Sequence, residues 1–158
     1  MTVPEINHAA LLGVDWGKAR LGVAVSPAGT SLAFPVETVA AGPAALERLK
    51  DLVTELNIGL CFVGLPLDLA GSLGLAARDV SAHASQLAAT IAPVSVRLVD
   101  ERLSTAGAVR GLQAAGRSAR QQRSVVDQAA AVDILQRVLD AGFRDGSLVG
   151  ELVKVEEL

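Results

Sequence analysis

The sequence predicts an α/β fold in which a mixed five-stranded sheet carries helices on both faces. Leu11–Val14 and Arg20–Val25 are short apolar runs joined by a turn-like segment, which is typical of an antiparallel hairpin. The continuous apolar run Leu60–Leu65 is typical of a central strand that is covered on both faces. An antiparallel start followed by alternating strands and helices gives a mixed sheet with helices on each side.

The middle elements follow in order along the chain. Phe34–Val39 is the third strand of the antiparallel part, and Gly42-Pro43 interrupts the chain after it. Apolar residues at helical spacing predict a helix over Ala44–Leu56. A second helix over Leu75–Ile91 then leads into the strand Val94–Val99. These units supply the parallel part of the sheet.

The C-terminal third is predicted to be mainly helical. A helix over Thr105–Ala115 is followed by a polar loop at Arg117–Arg123. Val125–Leu139 is the last long helix, and it ends near Gly142. Residues 143–158 form a C-terminal tail.

Length and composition limit the classes of protein to consider. With 158 residues, 51% of them apolar and 20% charged, residues 1–158 suit one globular domain with a core of about 11–142. Aromatic residues make up only 3%, which disfavours proteins that bind single strands on a row of aromatic side chains. Cys61 is the only cysteine and is expected in the core. No apolar stretch approaches the roughly 18 residues of a membrane span, and no secretory signal is recognisable, so a cytoplasmic location is expected.

Three carboxylates lie at the ends of predicted elements. Asp15 follows the first strand, Glu101 follows the strand that ends at Val99, and Asp127 opens the last long helix. Acids placed in this way can converge at one edge of a sheet, where they repel one another unless cations hold them together. Hard divalent cations such as Mg²⁺ prefer oxygen ligands. The pattern therefore indicates metal-dependent phosphate chemistry.

Each of these acids also has a purely structural explanation. Asp-x-Gly is a common turn signature, which accounts for Asp15 on its own. Glu101 could form a solvated ion pair with a neighbouring arginine. Strand alternation sends Asp100 and Glu101 to opposite faces, so only one of them is expected to be a direct ligand. Ser124 and Asp127 have the spacing of a helix capping box.

Basic residues are unevenly distributed, although the net charge is only −3. The stretch from Arg102 to Arg123 contains five arginines and no acid, which suits either a solvated surface or phosphate binding. Phosphate contacts position a duplex without reading its sequence. We expect such contacts from three of these arginines and from the two cations beside Asp15, namely Arg117, Arg120, Arg123, Lys18 and Arg20.

Four strings occur in an order that is highly specific. They are LGVDWGKARLGVAVS at 12–26, VGLPL at 63–67, DERLST at 100–105 and VDQAAAVDIL at 126–135. Together they resemble the motifs of the YqgF (RuvX) family over about Leu11–Leu139. The resemblance implies a ribonuclease H-like fold. It also implies a nuclease that matures the 5′ end of pre-16S ribosomal RNA, with Holliday-junction cleavage as the other proposed activity.

The resemblance also assigns roles to particular residues. It implies an acidic triad of Asp15, Glu101 and Asp127 that holds two Mg²⁺ or Mn²⁺ ions. The string around Glu101 adds three candidates for phosphate binding, Arg102, Ser104 and Thr105. The partner is then a nucleic acid, either pre-rRNA or branched DNA. A symmetric junction favours a homodimer, whereas an enzyme that processes RNA ends could be a monomer.

Two other classes of protein remain open. The hairpin with Asp15, Gly17 and Lys18 also resembles the phosphate loop of sugar kinases and actin-like ATPases, but those proteins need two such domains to close on ATP. A non-catalytic nucleic-acid adaptor would keep the fold, but such domains generally lose acids of the triad, and all three are present here. The residues do not decide between RNA and branched DNA, because both backbones offer the same phosphates.

Overall fold

The structure is a computed structural model that describes residues 9–66, 74–100, 119–142 and 151–152. Its strands form one sheet in the order β3-β2-β1-β4-β5-β6. The strands are β1 (Ala10–Trp16), β2 (Arg20–Ser26), β3 (Phe34–Ala40), β4 (Ile58–Leu65), β5 (Ser95–Asp100) and β6 (Glu151–Leu152). The helices within the described residues are α1 (Ala45–Glu55), α2 (Leu75–Ile91) and α3 (Ala119–Gly142).

The pairing of the strands confirms the predicted mixed sheet. β1 pairs with β2, and β2 with β3, in antiparallel fashion, whereas β1, β4 and β5 run parallel to one another. Trp16 pairs with Leu21 across a tight hairpin, as expected for two apolar runs joined by a short turn. The parallel strands reach each other through crossovers that contain α1 and α2, which cover the sheet.

Alternation along the strands divides the core between the two faces of the sheet. Leu12 and Val14 of β1 pack with α1 and α2 on one face. Leu11 of β1 and Phe62 of β4 pack with α3 on the other. Because β1 and β4 lie in the middle of the sheet, both of their faces are covered, which explains their nearly continuous apolar sequences.

Helix α3 and strand β1 approach each other closely at Gly13. A Cβ atom on this glycine would lie 3.0 Å from Leu135 Cβ and 3.2 Å from the Ala131 carbonyl oxygen. Ala131 and Leu135 are themselves fully buried. Glycine on the strand and alanine on the helix therefore set a short distance between the two elements.

Two glutamines fix the direction of α3 across the sheet. Gln128 Nε2 donates a hydrogen bond to Thr38 Oγ1 at 3.1 Å. Two turns later, Gln136 Oε1 accepts from the Ala33 amide at 3.0 Å, and Gln136 Nε2 donates to the Ser31 carbonyl at 2.9 Å. Since β3 runs parallel to β1, these bonds show that α3 runs antiparallel to both strands.

The structure corrects the predicted start of the last helix. The loop predicted over Arg117–Arg123 is wrong for its last five residues, because α3 begins at Ala119. Ser124 consequently lies inside the helix and is not its N-cap, so the capping explanation for Asp127 fails. The run from 119 to 123 contains alanine, arginine and glutamine, which are strong helix formers, and neither glycine nor proline.

Two further differences concern the C-terminal part. The predicted tail contributes the two-residue strand β6, which pairs antiparallel with β5 and adds a sixth strand to the expected five. The helix predicted over Thr105–Ala115 lies outside the described residues. In the parts of the chain that the structure describes, no helix is both long and apolar enough to cross a membrane.

Candidate functional site

Asp15 is a buried carboxylate at the C-terminal edge of the central strand β1. Its side chain is only 8% exposed. It follows Leu11 and Gly13 in the alternation of β1, and it therefore lies on the face of the sheet that α3 covers. The carboxyl ends of strands in an open α/β sheet are where ligands usually bind. Asp15 was expected directly after the first strand, whereas the structure places it within β1, one residue before the strand ends; its role in a site stays a prediction.

Two glycines flank Asp15 on this face of the sheet. Gly22 pairs with Asp15 in the register of β1 and β2. On the other side Val14 pairs with Val63, so Gly64 is the residue of β4 beside Asp15. Neither glycine carries a side chain, so the neighbouring strands place only backbone beside the Asp15 carboxylate.

Helix α3 brings the backbone of Asp127 to the same edge. Ala131 packs on Gly13, and α3 runs antiparallel to β1. Two residues of strand and four residues of helix both cover about 6–7 Å, so position 127 lies opposite position 15. The hydrogen bond from Gln128 to Thr38 agrees with this alignment, because Thr38 pairs with Gly22 and Gly22 pairs with Asp15. The carboxylate of Asp127 itself lies outside the described atoms.

Glu101 directly follows the last residue of β5 and lies outside the described residues. The described part of β5 nevertheless bears on the choice between Glu101 and its neighbour. Val99 packs in the core on the α3 face, whereas Leu98 packs on the opposite face. Asp100 alternates with Val99 and so belongs to the face opposite Asp15. Asp100 is therefore the weaker candidate of the two acids.

Two of the predicted phosphate-binding cations lie next to Asp15. Lys18 is exposed in the turn between β1 and β2. This turn is tight, since the Gly17 amide donates to the Arg20 carbonyl at 2.9 Å, and a Cβ on Gly17 would lie 2.5 Å from that oxygen. Arg20 is half-buried and shares the α3 face with Gly22. Arg20 is therefore on the same face of the sheet as Asp15, and Lys18 lies in the turn that follows this strand.

The remaining phosphate-binding candidates are described in part or not at all. Arg120 and Arg123 belong to α3 by their backbone, and their side chains lie outside the described atoms. Four more candidates lie outside the described residues altogether, namely Arg102, Ser104, Thr105 and Arg117.

The chemistry of Asp15 fits a divalent metal ion. A carboxylate is a hard oxygen donor, and the glycines beside Asp15 carry no side chain that would compete for the space on the α3 face. Within the described residues no group of three acidic, histidine or cysteine side chains forms a metal site. Two of the three predicted ligands, the carboxylates of Glu101 and Asp127, are not among the atoms described.

Sequence reasoning missed Thr38 and Gln128 as residues of this site. Nothing in the spacing of the sequence signals their hydrogen bond, because the two residues are separated by 90 positions. Gln128 does stand in the string that resembles a family motif, directly after Asp127. Its place in that string was the one signal in the sequence that Gln128 could belong to the site.

Residues 9–141 match the family model described as RuvX, Holliday junction resolvase. The chain belongs to the RuvX family. It is 50% identical over 129 residues to a protein of Cutibacterium acnes, with 82% of this chain and 81% of that protein covered. It is 47% identical over 154 residues to a protein of Streptomyces coelicolor, with 96% and 92% covered. Both relatives carry the name "Putative pre-16S rRNA nuclease".

Solved structures confirm the predicted fold of this RuvX family member. The chain superposes on the structure of Thermus thermophilus RuvC with a TM-score of 0.53 and 16% sequence identity. The superposition covers 89% of this chain and 99% of the RuvC chain. The same protein in complex with a Holliday junction substrate gives a TM-score of 0.54 at 18% identity, with the same coverage. The fold is therefore RuvC-like, that is, ribonuclease H-like.

Proposed function

We propose that this RuvX protein is a metal-dependent nuclease that hydrolyses phosphodiester bonds in the 5′-end maturation of pre-16S ribosomal RNA. The observation that carries the proposal is the buried Asp15 at the edge of β1, between two glycines and opposite the helix backbone at position 127. The choice of substrate is supported by relatives that are 50% and 47% identical in sequence and whose names refer to a pre-16S rRNA nuclease. Such a role implies a cytoplasmic location.

Asp15, Glu101 and Asp127 would hold the metal. Asp15 from the central strand, together with Glu101 and Asp127, would supply carboxylate oxygens to a pair of Mg²⁺ or Mn²⁺ ions. Ions held in this way lower the pKa of a bound water and stabilise the charge on the leaving oxygen. The burial of Asp15 supports this role, because a carboxylate that is removed from water and has space beside it suits a cation.

The cations around the site would hold the phosphates that flank the cleaved bond. Lys18 and Arg20 border Asp15 at the hairpin, one exposed and one half-buried. Arg102, Arg117, Arg120 and Arg123, with the hydroxyls of Ser104 and Thr105, would extend this surface. Contacts of this kind are electrostatic and fix the position of the backbone without selecting a sequence.

Cleavage of Holliday junctions is the second candidate activity. The description of the matched family model and the RuvC complex with a junction favour it. A symmetric junction would require a homodimer that makes paired cuts. Pre-rRNA remains the first choice, because the relatives that support it are far closer in sequence than RuvC.

One experiment distinguishes these activities. Metal-dependent cleavage of a precursor-rRNA fragment and of a four-way DNA junction is measured with the wild type and with Glu101→Gln. We expect the wild type to cut the RNA and the variant to cut neither substrate. Cleavage of the junction alone would establish the second candidate. Binding of both substrates without any cleavage by the wild type would contradict a nuclease and favour a non-catalytic adaptor.

A further inference from the structure

A second concave site lies on the face of the sheet opposite Asp15. Trp16 directly follows Asp15 in β1, and the alternation of the strand sends its side chain to the face covered by α1 and α2. There its indole ring stacks on the imidazole of His83 from α2. The ring centroids are 5.0 Å apart, and the two planes are inclined by 4°.

These two rings form part of a cavity of about 330 Å³ at the C-terminal edge of the sheet. Four small or apolar residues from the β3–α1 loop and the start of α1 also line it, namely Ala41, Pro43, Ala45 and Leu46. The polar groups are Lys18 from the β1–β2 turn and His83 and Gln86 from α2. None of the described residues that line the cavity is acidic.

This combination suits a nucleobase. Small-molecule sites have volumes from about 300 Å³ upward, so this cavity is at the lower end of the range. It therefore has room for one base and not for several. Flat aromatic and apolar walls favour a planar ring, and the Gln86 amide can hydrogen-bond to a base edge. Lys18 at the rim supplies a positive charge for the attached phosphate.

The cavity and the proposed catalytic site lie on opposite sides of the backbone of β1, at the same edge of the sheet. Asp15 and Trp16 are consecutive residues whose side chains point to opposite faces of the same sheet edge. A single strand that crosses this edge could therefore present a phosphate on the Asp15 side and a neighbouring base on the Trp16 side. Lys18, in the turn that follows Trp16, lines the cavity.

We propose that this cavity, the Trp16 pocket, binds one unpaired nucleobase of the substrate strand next to the phosphodiester bond that is cleaved. The inference rests on the proposed nuclease function and adds a specificity subsite to it. A single stacked base is compatible with the low aromatic content of the chain, which disfavours only a row of stacked bases.

The composition of the chain offers a direct test. Trp16 is the only tryptophan and there is no tyrosine, so intrinsic fluorescence reports on the pocket alone. A tetramer of uridine is titrated into the wild type with calcium in place of magnesium. Trp16 fluorescence is followed together with the anisotropy of a dye-labelled tetramer, which measures binding separately. The series is repeated with tetramers in which one nucleotide is abasic.

We expect saturable quenching of Trp16 that follows the anisotropy curve. One abasic position is expected to abolish the quenching and to weaken binding by about five- to a hundredfold, the range for loss of one stacked base. His83→Ala should weaken binding to a similar degree, whereas His83→Phe, which keeps a ring against Trp16, should restore it. Ala82→Ser, an exposed position on α2 that does not line the pocket, is the control.

The failures of the two proposals are distinguishable. If the anisotropy shows saturated binding while Trp16 fluorescence and the abasic series show no change, the pocket proposal is overturned and the nuclease proposal stands. If the tetramer does not bind at all and the precursor rRNA is not cleaved, the nuclease proposal fails, and the pocket proposal that rests on it fails too.

Discussion

Gln128 donates a hydrogen bond of 3.1 Å to Thr38 and thereby joins α3 to the edge strand β3 at the level of Asp15. Thr38 pairs with Gly22, and Gly22 pairs with Asp15, so the bond lies on the same row of the sheet as the buried carboxylate. Gln128 is also the residue next to Asp127. The bond therefore fixes the position of α3 along the strands at the point where Asp15 and Asp127 are proposed to meet.

Gln128→Leu is expected to reduce the rate of cleavage more than it reduces stability. Loss of one hydrogen bond costs about 1 kcal/mol, whereas a displacement of about 1 Å at a catalytic group can cost up to about a hundredfold in rate. The measurements are urea unfolding and the single-turnover cleavage rate.

Gln136→Leu is the matched control for that prediction. This residue also ties α3 to the segment before β3, but it lies two turns beyond Gln128. We expect a similar loss of stability with a cleavage rate near that of the wild type. Equal losses of rate in both variants would show that the bond at Thr38 has no special relation to the site.

Gly13→Ala is expected to destabilise the fold by about 1–3 kcal/mol, the usual cost of overpacking a core. The added methyl group would meet Leu135 Cβ at 3.0 Å and the Ala131 carbonyl at 3.2 Å, and the helix would have to move away from β1. Gly74→Ala is the control, since nothing lies within 4 Å of its Cβ position. Comparison of the free energies of unfolding in urea checks the prediction, and equal values for the two variants would contradict it.

The thiol of Cys61 should be unreactive in the folded protein. Burial raises its pKa to about 12, and the side chain is inaccessible. Because only a thiolate reacts rapidly with disulfide reagents, we expect no labelling by such a reagent at mildly alkaline pH until denaturant is added. Rapid labelling of one thiol per native chain would be inconsistent with the described core.

The same shift predicts a loss of stability in alkali. Above the ordinary thiol pKa of 9.0 the unfolded chain releases a proton that the folded chain keeps until about 12. The folded state then binds more protons, so the free energy of unfolding falls as the pH rises through this window. Cys61→Ala should show a flatter decline than the wild type when urea unfolding is repeated across these pH values.

The ion pair between Glu37 of β3 and Arg48 of α1 should contribute to acid sensitivity. Arg48 donates to both carboxylate oxygens of Glu37, from Nε at 2.8 Å and from Nη2 at 2.6 Å, and this hydrogen bonding lowers the pKa of Glu37. The stabilisation is present above the ordinary glutamate pKa and is lost as the pH falls through the lowered value. Glu37→Gln should therefore lose less stability than the wild type between neutral and acidic pH, and both proteins should become more alike in high salt.

The sequence predicts elements well where apolar periodicity is strong. The structure confirms the bounds of α2, Leu75–Ile91, where buried alanines recur at helical spacing with one valine, one leucine and one isoleucine. The strands of the hairpin are each within a few residues of their predicted ends. The predicted start of α3 was wrong, because the polar stretch Arg117–Arg123 suggested a loop. The arginine, alanine and glutamine residues in it have high helix propensity, and the helix begins at Ala119.

Contacts between distant residues could not be predicted from the sequence. The Gln128–Thr38 hydrogen bond and the stack of Trp16 on His83 each join elements that meet only after the sheet has formed. The position of Asp15 near the end of β1 was predictable, because the acid follows an apolar run, whereas its burial was not. Its relation to the carboxylates of Glu101 and Asp127 stays a prediction.

The most direct test of the central claim is a calorimetric titration of Mn²⁺ into the wild type and into Asp15→Asn, Glu101→Gln and Asp127→Asn. Asp100→Asn is the matched control, because Asp100 is adjacent to Glu101 in sequence but belongs to the opposite face of β5. We predict roughly two ions per wild-type chain, unchanged binding in the control, and at least about tenfold weaker binding in each of the other three variants. Wild-type binding in any one of those three would contradict the joint metal site.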